Sequence, residues 1–181
     1  MVAPIYYTAE MVRAFPEDGN IYELVHGELL VSPSPRPWHE EVGARLLETV
    51  RAYLRAHPVG HAYGSRSDLS WGRRDVLVSP DLFVVPLLEA RRLEWQALRT
   101  VLLVGEVLSP SSLRADRFTK RRLYQEHAVP LYWVVEPEER YVECWGPDDV
   151  FPRIEREALV WRPAGAATEF RLELGELFRE I

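Results

Sequence analysis

The run TVLLVGEVLSP at residues 100–110 constrains this chain more than any other stretch. It is apolar, rich in β-branched residues and closed by Ser-Pro, so it reads as a central strand buried on both faces. Period-two alternation puts Leu102, Val104, Glu106 and Leu108 on one face and Leu103, Gly105 and Val107 on the other. Glu106 therefore falls on an apolar stripe of the most buried strand. An isolated ionised carboxylate there would cost several kcal/mol. Glu106 must then be protonated, paired with a base such as an arginine, or bound to a cation.

Around that strand the pattern alternates helices and strands. TAEMVRAF predicts a short helix capped by Thr8, IYELVHGELLVSP two short strands around His26-Gly27, and SPSPRP a loop. From Trp38 to Ala56 the apolar positions Val42, Leu46, Leu47, Val50, Tyr53 and Leu54 follow helical spacing, with Arg45, Glu48 and Arg51 opposite. HAYGSRSDLSWG and DVLVSPDLFVVPLL are strand-like, and residues 87–99 read as a helical connection. A helix is expected from Ser112 or Asp116 to His127, then a hairpin in LYWVVEPEERYVECW turning at PEER. Strands near 157–162 and 168–173 and a terminal helix in LGELFREI follow. With no repeat or linker, residues 1–181 are expected to form a single α/β domain, a central mixed β-sheet flanked by helices with extra antiparallel strands at the N- and C-terminal ends.

Asp81 poses the Glu106 problem again. It opens DLFVV on the face of Phe83 and Val85, where Pro-Asp is either an ordinary turn before a strand or one of two acids converging at strand ends. Such a pair repels itself unless a divalent cation or a basic side chain lies between. A hard ion such as Mg²⁺ takes one or two carboxylates plus waters and phosphate oxygens. The chain also supplies a candidate base. Of its 22 basic side chains only Lys120 is lysine, and on a helix it shares a face with Asp116 and Tyr124 at i, i+4 spacing. The pattern fits either an exposed helix with a weak Asp-Lys pair or an ammonium laid over the end of the Glu106 strand. The preference for Arg over Lys also fits GC-rich coding, and a single Asn with few Gln, Met and Cys fits the avoidance of thermolabile residues expected of a thermophile's protein.

Three blocks, YELVHGELLVSPSPRPWH, SPDLFVV and VGEVLSPSSLRADRFTKRRLYQEHAVPLYWVVEP, resemble the Uma2 family of restriction endonuclease-like proteins in the PD-(D/E)XK nuclease superfamily; the similarity spans residues 6–145. The resemblance implies a restriction endonuclease-like fold and a metal-dependent phosphodiesterase site. By the same resemblance Asp81 and Glu106 would hold Mg²⁺ or Mn²⁺, with the carbonyl of Val107 a further ligand. Leu108 stands where the superfamily has its lysine, two residues after the glutamate, and Lys120 is the residue that matches that role. Its ammonium would orient water and offset transition-state charge. Glu23, His39, Asp116 and Tyr124 match the site more loosely.

A formal net charge of −6 argues against non-specific coating of nucleic acid. Contact would need bound cations or a local patch such as Arg114, Arg117, Arg121 and Arg122. The resemblance implies DNA as partner and a homodimer. Cys144 is alone, Glu10 and Arg13 stand where a signal peptide needs an apolar run, and nowhere do about 18 uncharged apolar residues run together. A soluble cytoplasmic protein with no membrane contact is expected. Two functions fit: a Mg²⁺-dependent nuclease acting on DNA, or a catalytically inactive nuclease-fold binding or regulatory module, which the acidic charge and the missing strand lysine favour. They separate on whether Asp81, Glu106 and Lys120 converge.

Overall fold

In the computed structural model, which describes residues 5–181, Thr8 caps α1 (Ala9–Arg13) by accepting the Met11 N–H at 3.3 Å. The assignment of the first four residues to the domain lies outside the described residues. β1 (Asn20–Val25) and β2 (Glu28–Pro33) form an antiparallel hairpin. Its two turn residues, His26 and Gly27, have φ of 50° and 81°, the left-handed pair that suits a two-residue turn between twisted strands. α2 (Pro37–Ala56) then starts on a proline, whose missing N–H would have had no partner in the first turn.

A six-stranded sheet follows in the order β3 (Gly60–Gly64), β4 (Leu82–Pro86), β5 (Leu103–Val107), β6 (Tyr132–Glu136), β7 (Tyr141–Trp145) and β8 (Arg153–Glu155). β5 and β6 are parallel and the other neighbours antiparallel, so the sheet is mixed. The crossover between β5 and β6 carries a π-helical turn, Ala115–Lys120, and α4 (Arg121–Glu126). β9 (Ala158–Trp161) and β10 (Phe170–Glu173) make a separate antiparallel pair, closed by α5 (Leu174–Leu177). The expected fold class is the one observed.

All five residues of β5 are buried. On one face α2 packs Val42, Leu46 and Val50 against Leu82, Val84, Leu103 and Val107, and the β9–β10 pair adds Leu159, Trp161 and Phe170. On the other face Phe83, Val85, Val104 and Leu108 meet Leu123 and Tyr124 of α4. This division follows the alternation read from the sequence within β5; Leu102, one residue before the strand, packs on the α2 side instead of with Val104 and Leu108. It places Glu106 on the α4 side.

Three expectations change, and one strand was not expected. Residues 87–99 hold only a four-residue helix, α3 (Leu87–Ala90), and a 3₁₀ turn at Trp95–Ala97. Leu93 between them has φ of 55°, and Leu88 and Leu93 are exposed, so no apolar stripe faces the core to sustain a longer helix. The strands expected in SDLSWG and DVLVSP reduce to the bridges Leu69 with Val78 and Leu24 with Leu77, because positive φ at Arg66, Trp71 and Gly72 turns the chain repeatedly. β8 lies at 153–155, where a charged, exposed triplet gave no apolar alternation to read. The terminal helix stops at Leu177, with the buried Phe178 as its C-cap and exposed Arg179, Glu180 and Ile181 beyond it.

Candidate active site

Two groups of polar side chains gather at the C-terminal end of β5. The first is closed. Lys120 Nζ lies 2.9 Å from Glu23 Oε2, 3.0 Å from Glu106 Oε1 and 2.9 Å from Asp116 Oδ1. Tyr124 donates to Glu106 Oε1 at 2.7 Å, and Glu23 accepts the Ser79 N–H at 2.9 Å. Lys120 is 4 % exposed, Glu106 3 % and Asp116 1 %. The Asp116 contact is an ion pair without hydrogen-bond alignment, since Oδ1 has no aligned donor. Glu23 arrives from β1, Glu106 from β5, and Asp116 and Lys120 from the π-helical turn. Such local widening of a helix is frequent at functional sites.

Burial dominates the electrostatics of this group. It pushes the Glu106 carboxyl well above the usual carboxylate range, against the pull of the Lys120 ammonium, and the charges of Asp116 and Glu23 push the same way as burial. Asp116 is raised by burial in the same manner. Burial disfavours the Lys120 charge, but Asp116, Glu106 and Glu23 overcome it and hold the ammonium well above its ordinary range. Three carboxyl groups thus face one ammonium.

The second group is open. Asp81 lies one residue before β4, and its Oδ2 accepts the Val107 N–H at 2.8 Å while touching His39 Nε2 at 3.3 Å. Strand alternation had put Asp81 on the face of Phe83 and Val85. Outside the strand that alternation does not hold, and the carboxylate turns to α2 instead. Asp81, His39, Glu40, Leu47 and Ser65 line a cavity of about 140 Å³. Burial works against a charge on His39, yet Asp81, the Val107 carbonyl and Glu40 outweigh it and raise the imidazole above its usual value. His39 Nδ1 is buried without a partner.

The Glu106-Val107 peptide joins the two groups: Glu106 belongs to the closed cluster and the Val107 N–H anchors Asp81. Lys120 is brought together with Glu23, Glu106, Asp116 and Tyr124, and His39 with Asp81; the ion-pair partners of Lys120 do not include Asp81. Among the described residues no three His, Cys, Asp or Glu side chains are grouped as a metal cage of their own.

The family model for Uma2, described as putative restriction endonuclease, matches residues 9–169. The chain belongs to the Uma2 family. Among solved structures, a putative nuclease from Anabaena variabilis is similar at a TM-score of 0.75 and 22 % identity, over 94 % of this chain and 97 % of that one. The likeness shows a shared fold. No curated protein matches the chain.

In this Uma2 chain the basic cluster is partly spent. Arg117 donates to Glu143 at 2.8 Å and to the Tyr141 hydroxyl at 2.8 Å, and Arg121 stacks 4.4 Å over Trp145. Arg114 and Arg122 stay exposed. Sequence reasoning missed Glu40 and Ser65 beside Asp81, which carry no motif of their own. It also missed Glu143, although its place between apolar Val142 and Cys144 was readable as a buried acid in need of a base. No helix among the described residues is long and apolar enough to cross a membrane.

Proposed function

We propose that this Uma2 chain is a metal-dependent nuclease that hydrolyses phosphodiester bonds of DNA. The observation that carries the reading is Asp81: a carboxylate locked to the last peptide of the central strand, one residue from Glu106, at the wall of an open cavity. The donors suit a hard divalent ion, because carboxylate oxygens and a strand-end carbonyl are what Mg²⁺ or Mn²⁺ takes, and the cavity has room for an ion with its water. Asp81 would hold it from the cavity wall, and the family resemblance adds Glu106, through the Oε2 that Lys120 and Tyr124 leave unbonded, and the Val107 carbonyl. Such an ion supplies charge neutralisation at the phosphate and acidifies a bound water.

The protein's own side chains do the rest. Lys120 and Tyr124 hold Glu106 by Oε1, fixing how the carboxylate meets the strand end. Lys120 therefore acts through Glu106. Arg114 and Arg122, exposed and outside the ion pairs that occupy Arg117, would meet phosphates.

The test is cleavage of supercoiled plasmid and single-stranded DNA under Mg²⁺ or Mn²⁺. Wild type should cut, and Asp81→Asn should cut at least about 100-fold more slowly, the scale of losing one charge-stabilising group. Undiminished cleavage by Asp81→Asn would remove Asp81 from the reaction. A second reading, an inactive binding module, is favoured by the burial of Lys120 among three acids. It predicts DNA retention without cleavage under either metal.

A further inference from the structure

The metal-binding reading above leaves His39 without a task, and the inference that follows rests on that reading. Asp81 Oδ2 accepts the Val107 N–H at 2.8 Å, and His39 Nε2 lies against the same oxygen at 3.3 Å. Both neighbours sit on firm elements, the last residue of β5 and the first turn of the 20-residue α2. The pair is largely withdrawn from water, with side chains 12 % and 16 % exposed.

The buried Nδ1 has no partner. A buried N–H without an acceptor is costly and rare, whereas an unused acceptor is better tolerated. The imidazole proton therefore belongs on Nε2, facing Asp81. One hydrogen bond, from the Val107 N–H, and the His39 ion-pair contact both fall on Oδ2 and leave the other oxygen for the cavity.

We infer that His39 is a positioning residue that clamps Oδ2 of Asp81 beside the Val107 N–H, so that Oδ1 alone is offered to a divalent cation. Without the clamp the carboxylate rotates, and binding an ion must first restrict it. Outer groups that orient a ligand in this way typically change metal affinity by about 10–100-fold when removed.

Mn²⁺ binding, followed by the electron paramagnetic resonance of the free ion, tests the clamp without any need for turnover. His39→Ala should weaken Mn²⁺ binding about 10–100-fold. His39→Gln, whose side-chain N–H can reach the same oxygen, should recover most of the loss. A role in packing alone would not distinguish Gln from Ala at equal melting temperature. If His39→Ala loses its cooperative melt, His39→Leu, which fills the ring's volume, takes its place in the comparison. A wild type that binds no Mn²⁺ overturns the metal reading and the clamp with it. A wild type that binds while the Ala or Leu variant binds equally well overturns the clamp alone. Nitrogen coupling to the bound ion in pulsed spectra of the wild type would make His39 a ligand and likewise overturn the positioning role.

Discussion

At the end of β5, Glu106 points to α4 and meets Lys120, Glu23, Asp116 and Tyr124, whereas Asp81, hydrogen-bonded to the very next peptide, turns to α2 and an open cavity. The first group is shut from water and supplies its own cation. The second has a histidine and a carboxylate, both mostly buried, at the wall of a cavity. Residues so close in the sheet thus handle the cost of a carboxylate beside an apolar core differently, one by internal pairing and the other by keeping access to solvent. Internal pairing makes the first group a structural support whatever else it does. The open cavity is where an external ion or substrate can enter.

The difference breaks most visibly at Lys120. In Lys120→Met the side-chain length is kept and the charge lost, leaving three buried acids without a counter-ion. Removing one partner of a buried pair costs about 3–5 kcal/mol, so urea unfolding at neutral pH should show a loss on that scale. The loss should shrink at acid pH, where Glu106 and Asp116, already raised by burial, take up protons. A loss below about 1 kcal/mol, the range of exposed pairs, would mean that the acids are satisfied without the ammonium and that the closed cluster is not held by charge.

Tyr124→Phe sharpens the same point at lower cost. It removes one hydroxyl donor from Glu106 and leaves the ring that packs against Tyr132 at 4.8 Å. A hydrogen bond contributes about 0.5–1.5 kcal/mol to a neutral acceptor and about 1.5–3 kcal/mol to a charged one, so the same unfolding measurement should report a loss between about 0.5 and 3 kcal/mol, smaller than that of Lys120→Met. An unchanged variant would mean that the Tyr124 hydroxyl does not hold Glu106.

Much of this arrangement was legible in local pattern. Alternation alone put Glu106 on a buried stripe, and i, i+4 spacing put Asp116, Lys120 and Tyr124 on one helix face, because both follow from backbone geometry within a few residues. The partner Glu23 was not legible by such means. It comes from β1 and meets Lys120 only through tertiary packing, and only the family resemblance pointed to it. Asp81 shows the limit of alternation: one residue outside β4, its carboxylate followed a hydrogen bond to Val107 rather than the face of Phe83. The π-helical turn was likewise unreadable, since ADRFTK fits an ordinary helix and the widened turn is seen only in the folded chain. β8 and the broken segment at 87–99 failed for a simpler reason. β8 and residues 91–96 of that segment lie at the surface, where burial imposes no period.

The smallest predicted effect concerns pH and the acid with the least exposure. Burial raises Asp116 above the ordinary aspartate range, so the folded protein binds that proton more tightly than the unfolded chain. Between the unfolded value, about 3.9, and the raised folded value, ν_N exceeds ν_U, so this group's contribution to stability falls as pH rises. Asparagine has no such proton to lose. The stability of Asp116→Asn minus that of wild type should therefore climb with pH across that window, by at most about 1.4 kcal/mol per pH unit for one proton. Asp18 and Asp75, held low by hydrogen bonds from Tyr22 and Arg73, slope the other way, but they are common to both proteins and cancel in the difference. Urea unfolding of both proteins in steps from about pH 4 to about pH 7 gives the curve. A flat difference would mean that Asp116 is ionised throughout. The Lys120 ammonium would then have to offset more negative charge than the closed cluster can tolerate without water, and the contrast with the open Asp81 cavity would narrow to one of degree.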